Sequence, residues 1–119
     1  MPAILTALDP DNAINEGIAK ISTSDWDKYL NITCKCPVVY DLNNAGDMYF
    51  CFEGLDKSDS ENLSRNIKEW TNSIEGKNTV QELITRHEIN VILFHHLTYF
   101  IKTSGGFTVE GALGHSEAV

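Results

Sequence analysis

The stretch Ile89-Asn-Val-Ile-Leu-Phe-His-His-Leu-Thr-Tyr-Phe-Ile101 is the longest apolar run of the chain. Upstream of it, Thr79-Val-Gln-Glu82 has the form of a capping box, so the sequence predicts one helix over residues 79–104, about 37 Å long. A helix that is apolar on every side must be buried on every side, by its own domain or by a neighbouring subunit. Because the run is too short for a transmembrane helix, it indicates a buried core helix.

A second helix is predicted before this one. Four apolar residues stand at helical spacing behind Ser58-Asp-Ser-Glu61, which is another capping box: Leu63, Ile67, Trp70 and Ile74. Gly76 is a plausible end for this helix because glycine readily adopts the left-handed conformation of a helix C-terminus. The spacing therefore predicts an amphipathic helix with one apolar face.

Residues 32–53 change to a pattern that is typical of strands. Ile32–Tyr40 and Met48–Phe52 are rich in β-forming residues, and Asp41–Asp47 between them contains Asn-Asn and Gly, which favour a turn. The sequence therefore predicts a β-hairpin over residues 32–53 that packs with the helices. The predicted fold class is α+β, in a single domain over residues 1–119.

The two ends of the chain are predicted to extend from this domain. Residues 1–9 are interpreted as an N-terminal arm, followed by a short helix over Pro10–Lys20 that begins at the cap Asp9. At the other end, residues 107–119 form a C-terminal tail that opens with a short strand over Phe107–Glu110. Both ends look too short to fold alone, so we expect neighbouring subunits to hold them in place.

The charge balance limits the choice of partners. The net charge is −8, from 17 acidic and 9 basic residues, and no run of Lys and Arg occurs in the sequence. Binding to phosphate backbones needs clustered cations, so direct contact with nucleic acid is not expected. The opening residues Met1–Leu5 contain no basic residue, and the three cysteines are too few for the disulfide framework of a secreted domain. These features predict a cytoplasmic protein that does not associate with membranes.

The cysteines and histidines were the first candidates for a metal site. Cys34, Cys36 and Cys51 fall on the two predicted strands, and His95 or His96 would have to supply the fourth ligand. The spacing matches no zinc-binding pattern, and neighbouring helical histidines point about 100° apart, so they cannot chelate one ion together. We therefore expect the cysteines to pack as small apolar residues, with no metal and no cofactor.

Sequence motifs of catalysis are missing as well. His87-Glu88 begins like a zinc-protease motif, but Val91 stands where the second histidine would be needed. No Gly-x-Ser-x-Gly elbow is present, and Gly105-Gly106 follows a predicted helix rather than opening one. The sequence predicts no catalytic residues, and we expect a protein that is not an enzyme.

An interaction protein is the function that the pattern favours. The helix over residues 79–104 carries more apolar surface than the rest of the chain is expected to cover, which predicts protein partners, as a homo-oligomer or a larger assembly. The lead hypothesis is a structural or assembly protein. The candidate interface residues are apolar side chains of this helix and the strand after it: Leu93, Phe94, Leu97, Phe100, Ile101, Phe107 and Val109.

A second function stays open at this point. A small acidic α+β domain inside the cell is also typical of inhibitors, such as immunity proteins or phage anti-defence proteins, that bind a basic protein surface. The working residues would then be surface carboxylates, and the candidates are Asp25, Asp27, Asp56, Asp59 and Glu61.

The C-terminal part of the chain resembles part of some tailed-phage connector and neck proteins. The resemblance rests on the helix end Tyr99–Ser104, on Gly105–Gly111 and on the small polar tail with Ser116-Glu117. In those proteins a helical core carries a short strand and an extended tail that pack into the adjacent subunit of a ring. The resemblance implies a structural, non-catalytic role as a head–tail connector or neck component, located in the host cytoplasm or the virion.

Overall fold

The computed structural model describes residues 2–36, 54–87 and 90–110. Within these ranges, four strands form one antiparallel sheet in the order β2-β1-β4-β3. Strand β1 therefore lies in the interior of the sheet, between β2 and β4. The strands are β1 (Pro2–Ala7), β2 (Ile18–Ser22), β3 (Gly54–Leu55) and β4 (Phe107–Glu110).

The alternation of side chains along the strands decides which face of the sheet is covered. Leu5 lies opposite Ala19 of β2, and Ala7 lies opposite Phe107 of β4. All four of these side chains are buried, whereas Thr6 between them is exposed. Because successive side chains of a strand point to opposite faces, one face of the sheet meets the helices and the other stays open.

Four α-helices pack with this sheet in the described part of the chain. Helices α2 and α4 pack side by side, and α3 packs against α2. Among the described residues, no helix has the length and hydropathy that crossing a bilayer requires. The helices are α1 (Thr23–Thr33), α2 (Lys57–Asn72), α3 (Ile74–His87) and α4 (Val91–Thr103).

Aromatic side chains join the helices to the sheet. On α1, Trp26 stacks on Tyr29 with ring centroids 5.7 Å apart, and Tyr29 lies 5.3 Å from the ring of Phe94 on α4. Phe100 of α4 and Phe107 of β4 are also almost completely buried. The described helices and strands therefore share one hydrophobic core, and the predicted α+β class is confirmed.

The single long helix predicted over residues 79–104 is wrong. Helix α3 ends at His87 and a separate helix begins at Val91. Asn90 has an extended backbone conformation, and its side-chain oxygen accepts a hydrogen bond from the backbone N–H of Ile92 at 2.7 Å. An asparagine in this position caps a new helix, because it satisfies one of the N–H groups that have no partner inside the helix.

The stretch 32–36 forms a helix end and a turn, whereas a strand was predicted there. Ile32 continues a buried stripe of α1 that begins at Trp26 and Tyr29, at helical spacing. Packing of this stripe overrides the β-propensity of the stretch, which is a weak and context-dependent preference. The rest of the predicted hairpin, residues 37–53, lies outside the described residues.

The predicted arm over residues 1–9 and the predicted helix over Pro10–Lys20 are also wrong. Pro2–Ala7 is an interior strand of the sheet, and the isoleucine-rich segment Ile18–Ser22 pairs with it as β2. Isoleucine favours strands, and hydrogen bonding to the neighbouring strand decides an ambiguous spacing. A turn that ends at Gly17 reverses the chain between the two strands.

The predicted strand over Phe107–Glu110 is confirmed as β4. It pairs with β1 and β3 of the same chain, so this part of the predicted tail belongs to the sheet. Residues 111–119 lie outside the described residues.

Candidate functional site

Helix α4 has two faces of opposite accessibility. Phe94 and Leu97 on one face are completely buried. On the other face, Ile92 is 75% exposed, Tyr99 51% and Val91 48%. Because 3.6 residues complete a helical turn, these exposed side chains form one stripe together with the two histidines. We call this stripe the α4 face, and it consists of Val91, Ile92, His95, His96 and Tyr99, all exposed.

A groove runs along one side of the α4 face, where α4 meets α2. Its cavity volume is about 300 Å³, and a second depression of about 370 Å³ shares Ser64, Lys68 and Lys102 with it. We call the two together the α2–α4 groove. Most of its lining residues carry a polar group, among them Thr71 and Asn72 from α2 and His95 from α4, while Ile67 contributes an apolar side chain.

One end of the groove is positively charged. Arg65 and Lys68 lie three residues apart on α2, and Lys102 of α4 lines the same depression. The Arg65 guanidinium donates to the Asn62 side-chain oxygen at 2.5 Å, and the Lys102 ammonium lies 5.9 Å from the centroid of the Tyr99 ring. In the described part of the chain, none of these three cations has a carboxylate within ion-pair distance.

The groove connects to the aromatic core through a short hydrogen-bonded chain. Tyr29 donates its hydroxyl hydrogen to Thr98 Oγ1 at 2.8 Å, which leaves the Thr98 hydroxyl to donate to the Phe94 carbonyl oxygen at 3.0 Å. Burial raises the pKa of Tyr29 far above its ordinary value, and the hydrogen bond to Thr98 opposes this shift only in part. Thr98 thus fixes the wall of the groove to α1.

A strained turn borders the other side of the α4 face. Asn15 and Glu16 have φ angles of 53° and 58°, in the left-handed region that non-glycine residues rarely adopt, and Gly17 follows at 80°. The Asn15 side-chain nitrogen lies 2.8 Å from Nε2 of His96. A Cβ on Gly17 would lie 2.7 Å from Cβ of Pro10, so this turn requires glycine. The contact between Asn15 and His96 holds the imidazole against this turn.

Most of the predicted interface residues lie in the core of the chain itself. Five of the seven are buried in the core of their own chain and do not contribute to its surface, whereas Leu93 and Val109 are partly exposed, and the predicted interface stays a prediction for these two. The physical reason is that α2 packs along α4 and the ring of Tyr29 on α1 contacts Phe94, so this side of α4 faces the core. Phe94, Leu97, Phe100, Ile101 and Phe107 are buried, and Leu93 and Val109 are partly buried against them.

The cysteines described by the structure lie at the C-terminal end of α1. Cys34 is half-buried and its thiol donates to the Asn31 carbonyl oxygen at 3.2 Å, and Cys36 is buried. Cys51 lies outside the described residues. The described ranges contain no group of three His, Cys, Asp or Glu side chains that could hold a metal ion. His95 and His96 diverge, one to the groove and one to Asn15.

The five carboxylates proposed for an inhibitor differ in how far their side chains are exposed. Asp59 is completely buried, which contradicts its assignment as a surface group. Asp56 is exposed but accepts a hydrogen bond from the Asp59 backbone N–H at 2.9 Å, so it caps α2. Asp25 and Asp27 are half-buried on α1, and Glu61 is exposed at the positively charged end of the groove.

Sequence reasoning missed the cations of the groove. The absence of a run of Lys and Arg led to the expectation that no basic cluster exists, yet the fold brings Arg65, Lys68 and Lys102 to one depression. The signal in the sequence was the spacing of three between Arg65 and Lys68, which puts both on one side of a helix. Lys102 is too distant in sequence for any spacing rule to include it.

No family model matches the chain, and comparisons with curated proteins and with solved structures give no significant match. What the site can do therefore follows from its own chemistry. The α4 face offers exposed apolar and aromatic surface, and the adjoining groove offers cations, hydroxyl groups and an amide. In the ranges that the structure describes, no serine hydroxyl is hydrogen-bonded to an imidazole. These groups are suited to binding.

Proposed function

We propose that this protein is a non-enzymatic assembly protein that associates with further copies of itself through the α4 face. One observation carries the proposal: Ile92 is 75% exposed on a helix whose opposite face is the core of the protein. With Val91 beside it and Tyr99 two turns further on, it lies on the exposed side of α4. His95 and His96 separate Tyr99 from the other two. Exposed apolar patches of this kind mark interaction surfaces in soluble proteins.

Charge favours a second copy as the occupant of this surface. The chain carries 17 acidic residues, so two copies repel each other over most of their surfaces. The α4 face contains no acidic residue, and its histidines are the only titratable groups besides Tyr99. Carboxylate repulsion therefore does not oppose close approach of two copies at this face.

The spacing along α4 also suits a two-fold contact. Ile92 and Tyr99 lie seven residues apart, which is about 10 Å along a helix. If two copies of α4 cross in antiparallel orientation near His95 and His96, Ile92 of one copy meets Tyr99 of the other. An isologous contact requires this kind of self-complementary pattern, in which the same patch serves both copies.

The role in a phage particle that the connector resemblance implies remains part of this proposal. A cytoplasmic or virion assembly protein would use repeated contacts between copies, and the α4 face supplies one. Phe107 and Val109 belong to the sheet of their own chain, so exchange of this strand with a neighbour is not needed for the contact. The mode of assembly proposed here is helix packing.

Sedimentation velocity on the Ile92→Asp variant tests the proposal. We expect the wild-type protein to associate at micromolar concentrations, and the substitution to raise the dissociation constant by about thirtyfold or more, since loss of a central apolar contact costs about 2 kcal/mol. Ile74→Asp is the matched control, because Ile74 is 83% exposed on α3, outside the α4 face.

Two results would contradict the proposal. A wild-type protein that stays monomeric up to millimolar concentration would exclude self-assembly and favour the inhibitor hypothesis, in which one copy binds one basic protein. Equal losses of association in the Ile92 and Ile74 variants would show that the contact lies elsewhere.

A further inference from the structure

We infer that the α2–α4 groove binds an acidic polypeptide segment of a partner protein. The inference does not depend on self-association, because the cations lie at the Lys102 end of α4, about 15 Å along the helix from Ile92. It rests on three properties of the groove: its charge, its shape and the chemical groups of its walls.

The charge of the groove is opposite to that of the protein. Arg65, Lys68 and Lys102 are three of only 9 basic residues in a chain with 17 acidic ones. Glu61 is the one acidic residue in the lining of the described depressions, so the balance of formal charge there is positive. With acids in such excess, cations that meet no carboxylate among the described residues can bind an anion from another molecule.

The shape of the groove suits an extended chain. From Glu61 to Asn72, α2 spans about 17 Å, and the two depressions join along this length at Ser64, Lys68 and Lys102. An extended polypeptide advances about 3.3 Å per residue, so about five residues would lie along it. Both depressions are partly open to solvent.

The chemical groups of the walls change along the length of the groove. At one end the cations can bind carboxylate side chains through charge-assisted hydrogen bonds. Toward the other end, Thr71, Asn72 and Tyr99 present hydroxyl and amide groups that can bind the backbone of the same segment. A segment with acidic residues at one end and neutral residues at the other would match this arrangement.

The described lining of the groove lacks the backbone N–H groups that many phosphate sites use. Phosphate sites typically use several backbone N–H groups at a helix N-terminus or in a glycine-rich loop. The lining residues named here lie within α2 and α4, beyond their first turns, where the backbone N–H groups are bonded within the helix. The anion-binding groups of the groove are therefore its side-chain cations, which are suited to binding separate carboxylates along an extended segment.

Fluorescence anisotropy with labelled poly-L-glutamate tests the inference. At low salt we expect saturable binding that weakens as salt is added, since exposed charges are screened. A protein with a net charge of −8 repels this probe everywhere except at a local positive site, so background binding is low. Lys68→Glu/Lys102→Glu should weaken binding by about tenfold or more, because like charges then face each other.

The matched control is Lys20→Glu/Lys77→Glu. It changes the net charge by the same amount at two exposed lysines outside the groove, one on β2 and one on α3. We expect this variant to keep most of the affinity. Circular dichroism should show that both double variants keep the wild-type fold, because all four lysines are exposed.

Three results would overturn the inference: no saturable binding at low salt, equal losses in the two double variants, or displacement of the probe by inorganic phosphate at equal concentration. The last result would make the groove a general anion site. Failure here is separable from failure of self-assembly, because Ile92→Asp should bind the probe as wild type does, and Lys68→Glu/Lys102→Glu should still associate in sedimentation.

Discussion

Tyr29 shows how a single polar group is accommodated in the core. Its ring lies between Trp26 and Phe94, and its hydroxyl is satisfied by Thr98 across the boundary between α1 and α4. An unsatisfied hydroxyl in this place would cost about 1–3 kcal/mol, so the hydrogen bond also fixes the position of α1 against α4.

The raised pKa of Tyr29 makes stability depend on pH in the alkaline range. The buried phenol keeps its proton while the unfolded chain ionises at its ordinary pKa of about 10, so the unfolded state binds fewer protons above that pH. The free energy of unfolding should therefore fall by about 1.4 kcal/mol per pH unit from this residue above pH 10.

Tyr29→Phe isolates this contribution. At neutral pH the variant should be less stable by about 1 kcal/mol, because it lacks the hydrogen bond to Thr98. Above about pH 10 the difference from wild type should shrink, since only wild type has this phenol to ionise on unfolding. Urea unfolding followed by circular dichroism measures both proteins, and a difference that stays constant up to about pH 11 would contradict the prediction.

Burial of single residues was partly predictable from the sequence, and positions of charges were not. The apolar run over residues 89–101 predicted burial on every side of the helix; Phe94, Leu97 and Ile101 are buried, but Leu93 is partly buried and Ile92 is 75% exposed. Apolar spacing reports which side of a helix faces the core, so it serves such residues well. The meeting of Lys68 with Lys102 depends on how two helices pack, and no local pattern carries that information.

At the scale of elements, Asn90 is the residue that changes the architecture. The apolar spacing before and after it fits one continuous helix, yet an asparagine cap allows α3 and α4 to be separate helices. Asparagine is favoured at helix N-caps and has a low propensity for helix interiors, so the sequence contained a signal for the break. The length of the apolar run outweighed that signal in the sequence-based prediction.

The two faces of α4 should respond differently to the same kind of substitution. Leu97→Ala should lower the free energy of unfolding by about 2–5 kcal/mol, because it opens a cavity in a packed core. Ile92→Ala should change it by less than about 0.5 kcal/mol, since the side chain is mostly exposed in the monomer.

Urea unfolding of dilute samples, where α4 faces are unpaired, measures both values. A loss below about 0.5 kcal/mol for Leu97→Ala would show that α4 does not contribute this side chain to the core. A large loss for Ile92→Ala at low concentration would place that face inside the monomer and remove the basis of self-assembly.

The strands were harder to predict than the helices because they depend on distant partners. Ile14, Ile18 and Ile21 fit a helical spacing, but the pairing of Ile18–Ser22 with β1 imposes a strand. The left-handed turn through Asn15 and Glu16, which no spacing rule indicates, makes this reversal possible. The sequence thus predicted the α+β class of the fold, but the interior strand β1 was predicted as an arm.

At the scale of the whole molecule, the two proposed surfaces have different charges and different roles. The α4 face is nearly uncharged and suits contact between equal copies, while the groove is positive and suits an acidic partner segment. Tyr99 and His95 border both surfaces. If both proposals hold, one copy would contact another through the α4 face and bind a partner segment in the groove beside it.

The position of β1 leads to a test of the whole architecture. Removal of residues 2–9 should abolish cooperative unfolding, because β1 pairs with both β2 and β4 and contributes Ala3, Leu5 and Ala7 to the core. Without it, β2 has no partner among the described strands, and the buried face of the sheet loses the side chains of an interior strand. Circular dichroism during thermal unfolding measures the effect.

Thr6→Lys is the matched control for this deletion. Thr6 belongs to the same strand, but its side chain is exposed on the open face of the sheet, so the substitution leaves the pairing and the buried row intact. We expect its melting temperature to stay close to that of wild type, since surface substitutions change stability by about 0.5 kcal/mol or less. If the shortened protein instead melts cooperatively near the wild-type temperature, residues 2–9 are a dispensable arm and β1 is not the centre of the sheet.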